Sequence, residues 1–282
     1  MMKVAAVVVL YHPPEEIIDN INSYIEEVEK VYVIDNSEEA TNDEIIDKLK
    51  KNSKVELVIL HQNKGIAKAL NIGGNKAITD GFDYVLTMDQ DSSIPENMVQ
   101  KLYSIINEDK YIGLVAAEHF NREIHKTTNK VKTEEILYTM TSGNLINLYA
   151  FKEIGGFDEK LFIDHVDHEY CLRLKKNGFK IIKTNSALVY HRLGKSEIKK
   201  FHWFNIYPTH HSPVRIYYRT RNRLYINHKY KRDFPEYVLE DRRHFFRELI
   251  DMILGEKNIY NKLKMILKGY SDYKKNKFGK ID

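Results

Sequence analysis

Four short apolar runs dominate the N-terminal third: Lys3–Tyr11 (KVAAVVVLY), Val31–Ile34, Val55–Leu60 and Tyr84–Met88, each stopping at polar side chains. They are rich in β-branched residues and too short for buried helices, so they predict strands. The first is apolar almost throughout, as a strand covered on both faces must be. Pro13 and Pro14 break it. Between the runs the spacing becomes helical. Ile17, Ile18, Ile21, Tyr24, Ile25 and Val28 predict a helix over Glu15–Val28. Asp43–Lys51 predicts a short helix, and Ile66–Gly81 a longer one after the turn Asn63-Lys64-Gly65. Strand–helix–strand repetition with short connections predicts an α/β fold, its mostly parallel sheet carrying helices on both faces.

In such sheets ligands bind beyond the carboxyl ends of the strands. Here every strand end is polar: Tyr11-His12, Asp35-Asn36, Gln62-Asn63 and Asp89-Gln90-Asp91. One polar end is ordinary loop chemistry; four together predict a site. After Pro95 the pattern loosens. Met98–Ile106 reads as a helix, Ile112–Ala117 as a strand and Phe120–Thr133 as a polar loop. Leu137–Leu148 contains Ser142-Gly143-Asn144, and GGFDEKLF (Gly155–Phe162) leads into FIDHVDHEYCLRLKKNGFKI (Phe162–Ile181). Asp167, Glu169 and Arg173 are expected just ahead of a helix that Asn177-Gly178 ends.

With 282 residues, 43% hydrophobic and 30% charged, the chain is long enough to bury a real core and is not of disordered composition. Its one cysteine, Cys171, forms no internal disulfide or CxxC zinc site, which favours a reducing compartment. No run of 18 apolar residues occurs. MMKVAAVVVLYHPP lacks a small-residue cleavage site and reads as a strand, not a signal peptide. The expected location is therefore cytoplasmic. The net charge of +4 conceals an asymmetry: Met1–His191 holds 22 Lys and Arg against 30 Asp and Glu, whereas Arg192–Asp282 holds 22 against 10. An acidic body carries a basic C-terminal third.

Asp89 and Asp91 lie at i and i+2, and on an extended chain such side chains share one face. Two carboxylates there suit a hard cation such as Mg²⁺ or Mn²⁺, which takes oxygen ligands and bridges phosphates. The alternative is a pair of solvated loop acids. Asp164 and Asp167, near a helix start, are either dipole-stabilised acids or include a general base; composition leaves both readings open. His191, closing the apolar run Ala187–Tyr190, is either a ligand or a structural residue. The pairs His165/His168 and His210/His211 lack a third soft ligand at zinc spacing.

In the basic third, Arg215, Arg219, Arg221 and Arg223 alternate with Tyr217, Tyr218 and Tyr225. This pattern suits an anionic diphosphate or a lipid-linked acceptor as well as nucleic acid, and nucleic acid is not the expected partner. His244–Leu254 and Tyr260–Leu267 are amphipathic, with Lys257, Lys262, Lys264 and Lys268 close by. They read as a membrane-surface element, with a packed helical subdomain or a homodimer interface as alternatives.

The motifs VVVLYH, VIDNS, QNKGIAKALNIG, LTMDQDS, MTSGNLI, GGFDEKLFIDHVDHEYCLRLKKNGFKI and ALVYH, in this order over Lys3–Leu193, resemble the family 2 glycosyltransferases of the GT-A fold. DHVDHEYCLRLKKNG with YYRTRN downstream is most similar to bacterial rhamnosyltransferases of surface polysaccharide synthesis. The resemblance implies a GT-A domain over residues 1–200, with a Rossmann-like nucleotide-sugar half (1–95) and an acceptor or catalytic half (96–200). A basic, mainly helical extension (201–282) follows. It implies that Tyr11, Asp35, Asn36, Asn63, Gly65, Asn71, Asp89 and Gln90 hold the nucleotide-sugar, and that Asp91, Asp89 and His191 hold Mg²⁺ or Mn²⁺. It places Ser142, Gly143 and Asn144 at the acceptor, and Asp167 with Glu169 at the catalytic motif. Many members have two consecutive acids there, whereas Val166 precedes Asp167 here, so Asp164 remains a rival base. The implied activity is inverting transfer of L-rhamnose from dTDP-β-L-rhamnose to a saccharide or lipid-linked acceptor, at or near the inner membrane face. A UDP-galactofuranose or other UDP-hexose transferase, and a non-catalytic nucleotide-sugar-binding subunit, are the alternatives.

Overall fold

The computed structural model describes residues 3–39, 41–120, 131–191, 199–201 and 204–281. The chain divides into two compact units. One comprises Met1–Glu159 with Val166–Arg192, the other Lys160–His165 with Leu193–Asp282.

The first unit is built on one sheet. Its N-terminal strands are β1 (Val4–Leu10), β2 (Lys30–Asp35), β3 (Val55–Ile59) and β4 (Tyr84–Asp89), linked through α1 (Ile17–Asn22), α2 (Asp43–Lys50) and α3 (Ile66–Thr79). Then follow β5 (Ser92–Ser93), α4 (Met98–Ile106), β6 (Ile112–Phe120), β7 (Thr133–Glu135), β8 (Asn144–Asn147), α5 (Leu148–Ile154), α6 (Val166–Lys176) and β9 (Lys180–His191). The strand order is β3-β2-β1-β4-β8-β6-β9-β5, with β7 on β9. Pairing is parallel from β3 to β4; β8 then enters antiparallel between β4 and β6, and β6 pairs parallel with β9.

All seven residues of β1 are buried, as its unbroken apolar sequence requires. Ala6, Val8 and Leu10 join a cluster with Ile17 and Ile21 of α1 and Met98, Val99, Leu102 and Ile106 of α4. On the opposite face α3 lies so close that a Cβ at Gly73 would stand 2.5 Å from Val7 Cγ1. Glycine there is a packing requirement: any side chain would force the helix off the strand. The chain runs β1-β2-β3 to one side, then crosses back to place β4 on the other side of β1. That reversal opens a crevice at the carboxyl ends of β1 and β4.

Three elements differ from their sequence expectation. The helix expected over Glu15–Val28 is α1 plus a separate 3₁₀ turn at Ile25–Glu27. Ser23 Oγ donates to Asn20 O and accepts the distant Ile94 N–H, bonds that compete with continued helix. Asp167, Glu169 and Arg173 lie inside α6 rather than ahead of it, because the helix starts at Val166. Most of the expected loop Phe120–Thr133 lies outside the described residues, and its end passes into edge strand β7.

The second unit contains a hairpin, β10 (Lys199–Phe201) and β11 (Phe204–Ile206), and helices α7 (Pro213–Tyr230), α8 (Pro235–Gly255) and α9 (Ile259–Lys274). α9 packs tightly on α7: a Cβ at Gly269 would meet the Tyr217 carbonyl at 2.8 Å. The arginine-tyrosine run is mostly internal. Arg221 is fully buried over the rings of Tyr217, Tyr218 and Phe278 and donates to Gly279 O and Lys160 O. Arg223 is paired with Asp241 and Glu248, and Arg219 with Glu248. Burial alone would raise the Glu248 carboxyl pKa, but Arg223 and Arg219 outweigh it and hold the group below the usual carboxylate range.

Candidate active site

The crevice is assembled from strand ends. Strand register sets Leu10 of β1 beside Asp35 of β2, and Val9 beside Asp89 of β4, so two acids flank the end of β1. Asp35 is 1% exposed; its carboxylate accepts the Ser37 N–H at 3.1 Å and the Thr41 hydroxyl at 2.6 Å. Tyr11 follows β1 with its side chain exposed. Its N–H donates to Gln90 Oε1 at 2.8 Å and its carbonyl accepts from Gln90 Nε2 at 3.2 Å. The Gln90 amide thus fastens the end of β1 to the turn after β4.

The β3–α3 connection is knit by two asparagines. Asn36 Nδ2 donates to Asn63 Oδ1 at 3.1 Å, and Asn36 Oδ1 accepts the Lys64 N–H at 2.8 Å. Asn63 Oδ1 also accepts the Gly65 N–H at 3.0 Å. Gly65, with φ of 86°, is the N-cap of α3. Only glycine adopts that backbone without strain. The first turn of α3 holds no acid, so its N–H groups present positive potential suited to phosphate.

Asp89 closes β4, and Gln90 and Asp91 form a turn before β5. The extended spacing expected for the two acids is therefore replaced by a turn, with Asp91 exposed at its apex. Bonds hold this turn on several sides. Asn20 Nδ2 donates to Gln90 O at 2.8 Å, and Ser23 Oγ accepts the Ile94 N–H at 3.0 Å. Ser142 Oγ accepts the Asp89 N–H at 3.1 Å and donates to Ser92 Oγ at 2.8 Å. Ser92 pairs with His191 across β5 and β9, which brings the His191 backbone beside the turn. The His191 side chain lies outside the described residues. Among the described residues no group of three or more His, Cys, Asp or Glu gathers to hold a metal. The two carboxylates supply hard oxygen donors of the kind Mg²⁺ and Mn²⁺ take, so the residues fit such an ion.

Several expected site residues have internal duties. Ser142 is fully buried; Gly143, with φ of 77°, donates its N–H to Thr87 O at 2.8 Å. Asn144 Nδ2 donates to Met140 O, and the three residues brace β8 against β4. Asn71 is buried, with Oδ1 accepting the Phe157 N–H and Nδ2 donating to Phe157 O and Glu159 Oε1. That amide clamps the Gly155–Glu159 turn to α3. Glu169 is 0% exposed and doubly bonded to Arg173 one helical turn on, while Arg173 also donates to Ile154 O and Gly156 O.

Asp167 is partly exposed in the first turn of α6, and its Oδ1 accepts the His168 N–H at 2.8 Å. The His168 ring packs on Tyr138 at 4.2 Å. Asp164 belongs to the second unit, in a left-handed backbone with φ of 63°, and its carboxylate takes three bonds of 3.0–3.2 Å from the Arg215 guanidinium. The Cys171 thiol is pushed up to about 12 by burial and is chemically quiet at neutral pH. What the sequence pattern gave no sign of was the brace through Asn20, Ser23 and Ser92, because its bonds join residues distant in the chain.

Residues 6–160 match the family described as Glycosyl transferase family 2. The chain is 34% identical over 238 residues to dTDP-rhamnosyl transferase RfbF of Shigella flexneri, covering 77% of each. Among solved structures it is similar to S. aureus TarS (18% identity, TM-score 0.59), covering 82% of this chain but only 40% of TarS. A shorter TarS structure, residues 1–349 in complex with UDP-GlcNAc, is matched over 96% of this chain and 80% of that one (16% identity, TM-score 0.62). GalNAc-T7 with UDP, GalNAc and Mn²⁺ is matched over 98% of this chain and 56% of that one (14% identity, TM-score 0.62). The structural matches show the GT-A fold. Together with the family match and the identity to a curated relative, they establish that this chain belongs to glycosyl transferase family 2 and is a glycosyltransferase.

Proposed function

We propose that this chain transfers L-rhamnose from dTDP-β-L-rhamnose, with inversion, to a saccharide or lipid-linked saccharide acceptor in surface polysaccharide synthesis. The observation that carries this reading is the 34% identity, over 77% of both chains, to a protein named as a dTDP-rhamnosyl transferase. The crevice geometry supports the donor part. Tyr11 and Asp35, at the ends of β1 and β2, would hold the pyrimidine base, with Asp35 accepting from its N3–H. The α3 N-terminus behind Asn63 and Gly65 faces the diphosphate with its N–H groups. Asp91 and Asp89, with His191 as a third candidate ligand, would hold Mg²⁺ or Mn²⁺. When bound, such an ion neutralises charge on the diphosphate leaving group.

Asp167 serves as the base. It accepts the proton of the acceptor hydroxyl while that oxygen bonds to the anomeric carbon. The bond from that carbon to the diphosphate oxygen breaks, and its electron pair leaves with dTDP. A single displacement converts the β-linked donor into an α-L-rhamnoside. Asp164 suits this role less well, because its carboxylate is already taken up by three bonds from the Arg215 guanidinium. Glu169, buried on Arg173, orders α6 beneath Asp167 instead of touching substrate.

The test is thermal protection by donors, since a ligand that binds only the native state raises its melting temperature. With Mn²⁺ present, dTDP-rhamnose should raise Tm by several degrees and UDP-GlcNAc or UDP-galactofuranose by far less. Protection by UDP-sugars alone would replace rhamnose with a UDP-hexose. No protection by any nucleotide-sugar would remove the donor site itself.

A further inference from the structure

We propose that the outer face of α9 is a docking surface for an anionic lipid bilayer, on which the helix lies in the plane of the headgroups. α9 buries Lys262, Gly269 and Asp272, and it is this side that meets α7. At helical spacing the opposite side carries Tyr260, Leu263, Leu267 and Tyr270. All four are exposed, Tyr260 at 80% and Leu267 at 70% being the highest of the large apolar residues among those described. Exposed apolar side chains in register along a helix mark an interaction surface, whereas scattered ones do not. Tyrosines at both ends with leucines between suit an interface where ring bodies meet acyl chains and hydroxyls meet water.

Charge chooses the occupant. Lys264 and Lys268 are exposed along one flank of the stripe, and Lys274 and Lys275 at its end. The one acid in α9, Asp272, is buried and accepts from the Tyr217 hydroxyl and Lys268. Lys262, on the inner side, is paired with Glu256. The solvent face of α9 is thus apolar and cationic with no carboxylate. A second copy docking through the same stripe would set lysine rows against lysine rows, which is unfavourable. Anionic headgroups complement both the charge and the apolar strip. α8 also exposes Leu239, Phe246, Ile250 and Ile253 beside Arg242, Arg243 and Arg247, but it carries the exposed acids Glu236 and Glu240 as well, so the carboxylate-free face is that of α9. Among the described residues no helix is long and apolar enough to cross a membrane, so contact through α9 is in-plane. This inference does not depend on which sugar is transferred.

The experiment is co-sedimentation of the full chain with vesicles of phosphatidylcholine alone or mixed with phosphatidylglycerol, at low and high salt. Binding should require phosphatidylglycerol and weaken as salt rises. Replacing Leu263 and Leu267 together by serine should lower vesicle affinity by roughly tenfold or more. Lys264→Glu should lower it several-fold at low salt only. Both variants should keep the wild-type circular dichroism melt and nucleotide protection, because these side chains face away from the core. Equal binding to neutral vesicles, no binding to either, or undiminished binding by both variants would each overturn the proposal. So would a wild-type dimer, seen by light scattering, that the double serine variant converts to monomer.

Discussion

The crevice of the first unit and the arginine helix α7 of the second both carry charged side chains, yet they use them in opposite ways. In the crevice, neutral amides and hydroxyls join one strand end to the next, and the buried Asp35 carboxylate accepts from its near neighbours Ser37 and Thr41. Gln90 links Tyr11 to the β4 turn, Asn36 and Asn63 knit the α3 entry, and Ser142 meets Ser92. The carboxylate of Asp91 is left exposed at the apex of that turn. In α7 the charges are themselves the internal bonds: Arg223 to Asp241 and Glu248, Arg221 to backbone carbonyls under three rings. The lesson is that a run of arginines and tyrosines signals a ligand only where topology leaves the charges facing a crevice. A buried pair contributes order rather than chemistry.

If the contrast holds, substitutions in the two regions must fail differently. Asp167→Asn should lower transfer by roughly 10²–10⁴-fold, as removal of a general base does, with donor protection and Tm unchanged. Unreduced transfer in that variant would move the base elsewhere. Arg223→Ala should instead unfold the helical unit more easily, by about 3 kcal/mol, because it takes the cation from buried Asp241, which keeps the Asn227 amide, and leaves Glu248 to Arg219. A chemical denaturation curve with an unshifted midpoint would show that the pair contributes nothing. The smallest effect concerns acid. Burial, then Arg219 and Arg215, lower the His211 pKa from 6.5 to about 4. The unfolded chain therefore binds this proton first, and His211 costs stability as pH falls from about 6.5 towards 4. His211→Asn should flatten that limb of the Tm–pH curve by a degree or two, while a profile parallel to wild type would show the imidazole to be solvated.

Legibility in the sequence followed the range of the interactions. β1 to β4 and α2 to α4 were readable because burial on a sheet imposes local periodicity. The position of the crevice was readable because strand ends in a doubly wound sheet face one edge. The shortened α1 was not, since Ser23 is diverted by Ile94, far along the chain. Nor was the inward use of Ser142, Asn71 and Glu169, whose partners β-pairing, the Phe157 turn and Arg173 provide. Asp164 and Asp167 looked equivalent from composition. The Arg215 contact distinguishes them.

The turn that carries Asp91 is fastened to α1, to β1 and to the serine pair before any donor arrives. A loop already frozen gives up little further conformational entropy when a nucleotide-sugar settles on it. Donor capture should accordingly resemble a key entering a finished lock, with loosening of Asn20 or Ser23 felt as weaker binding by an enzyme whose reactive groups are all intact.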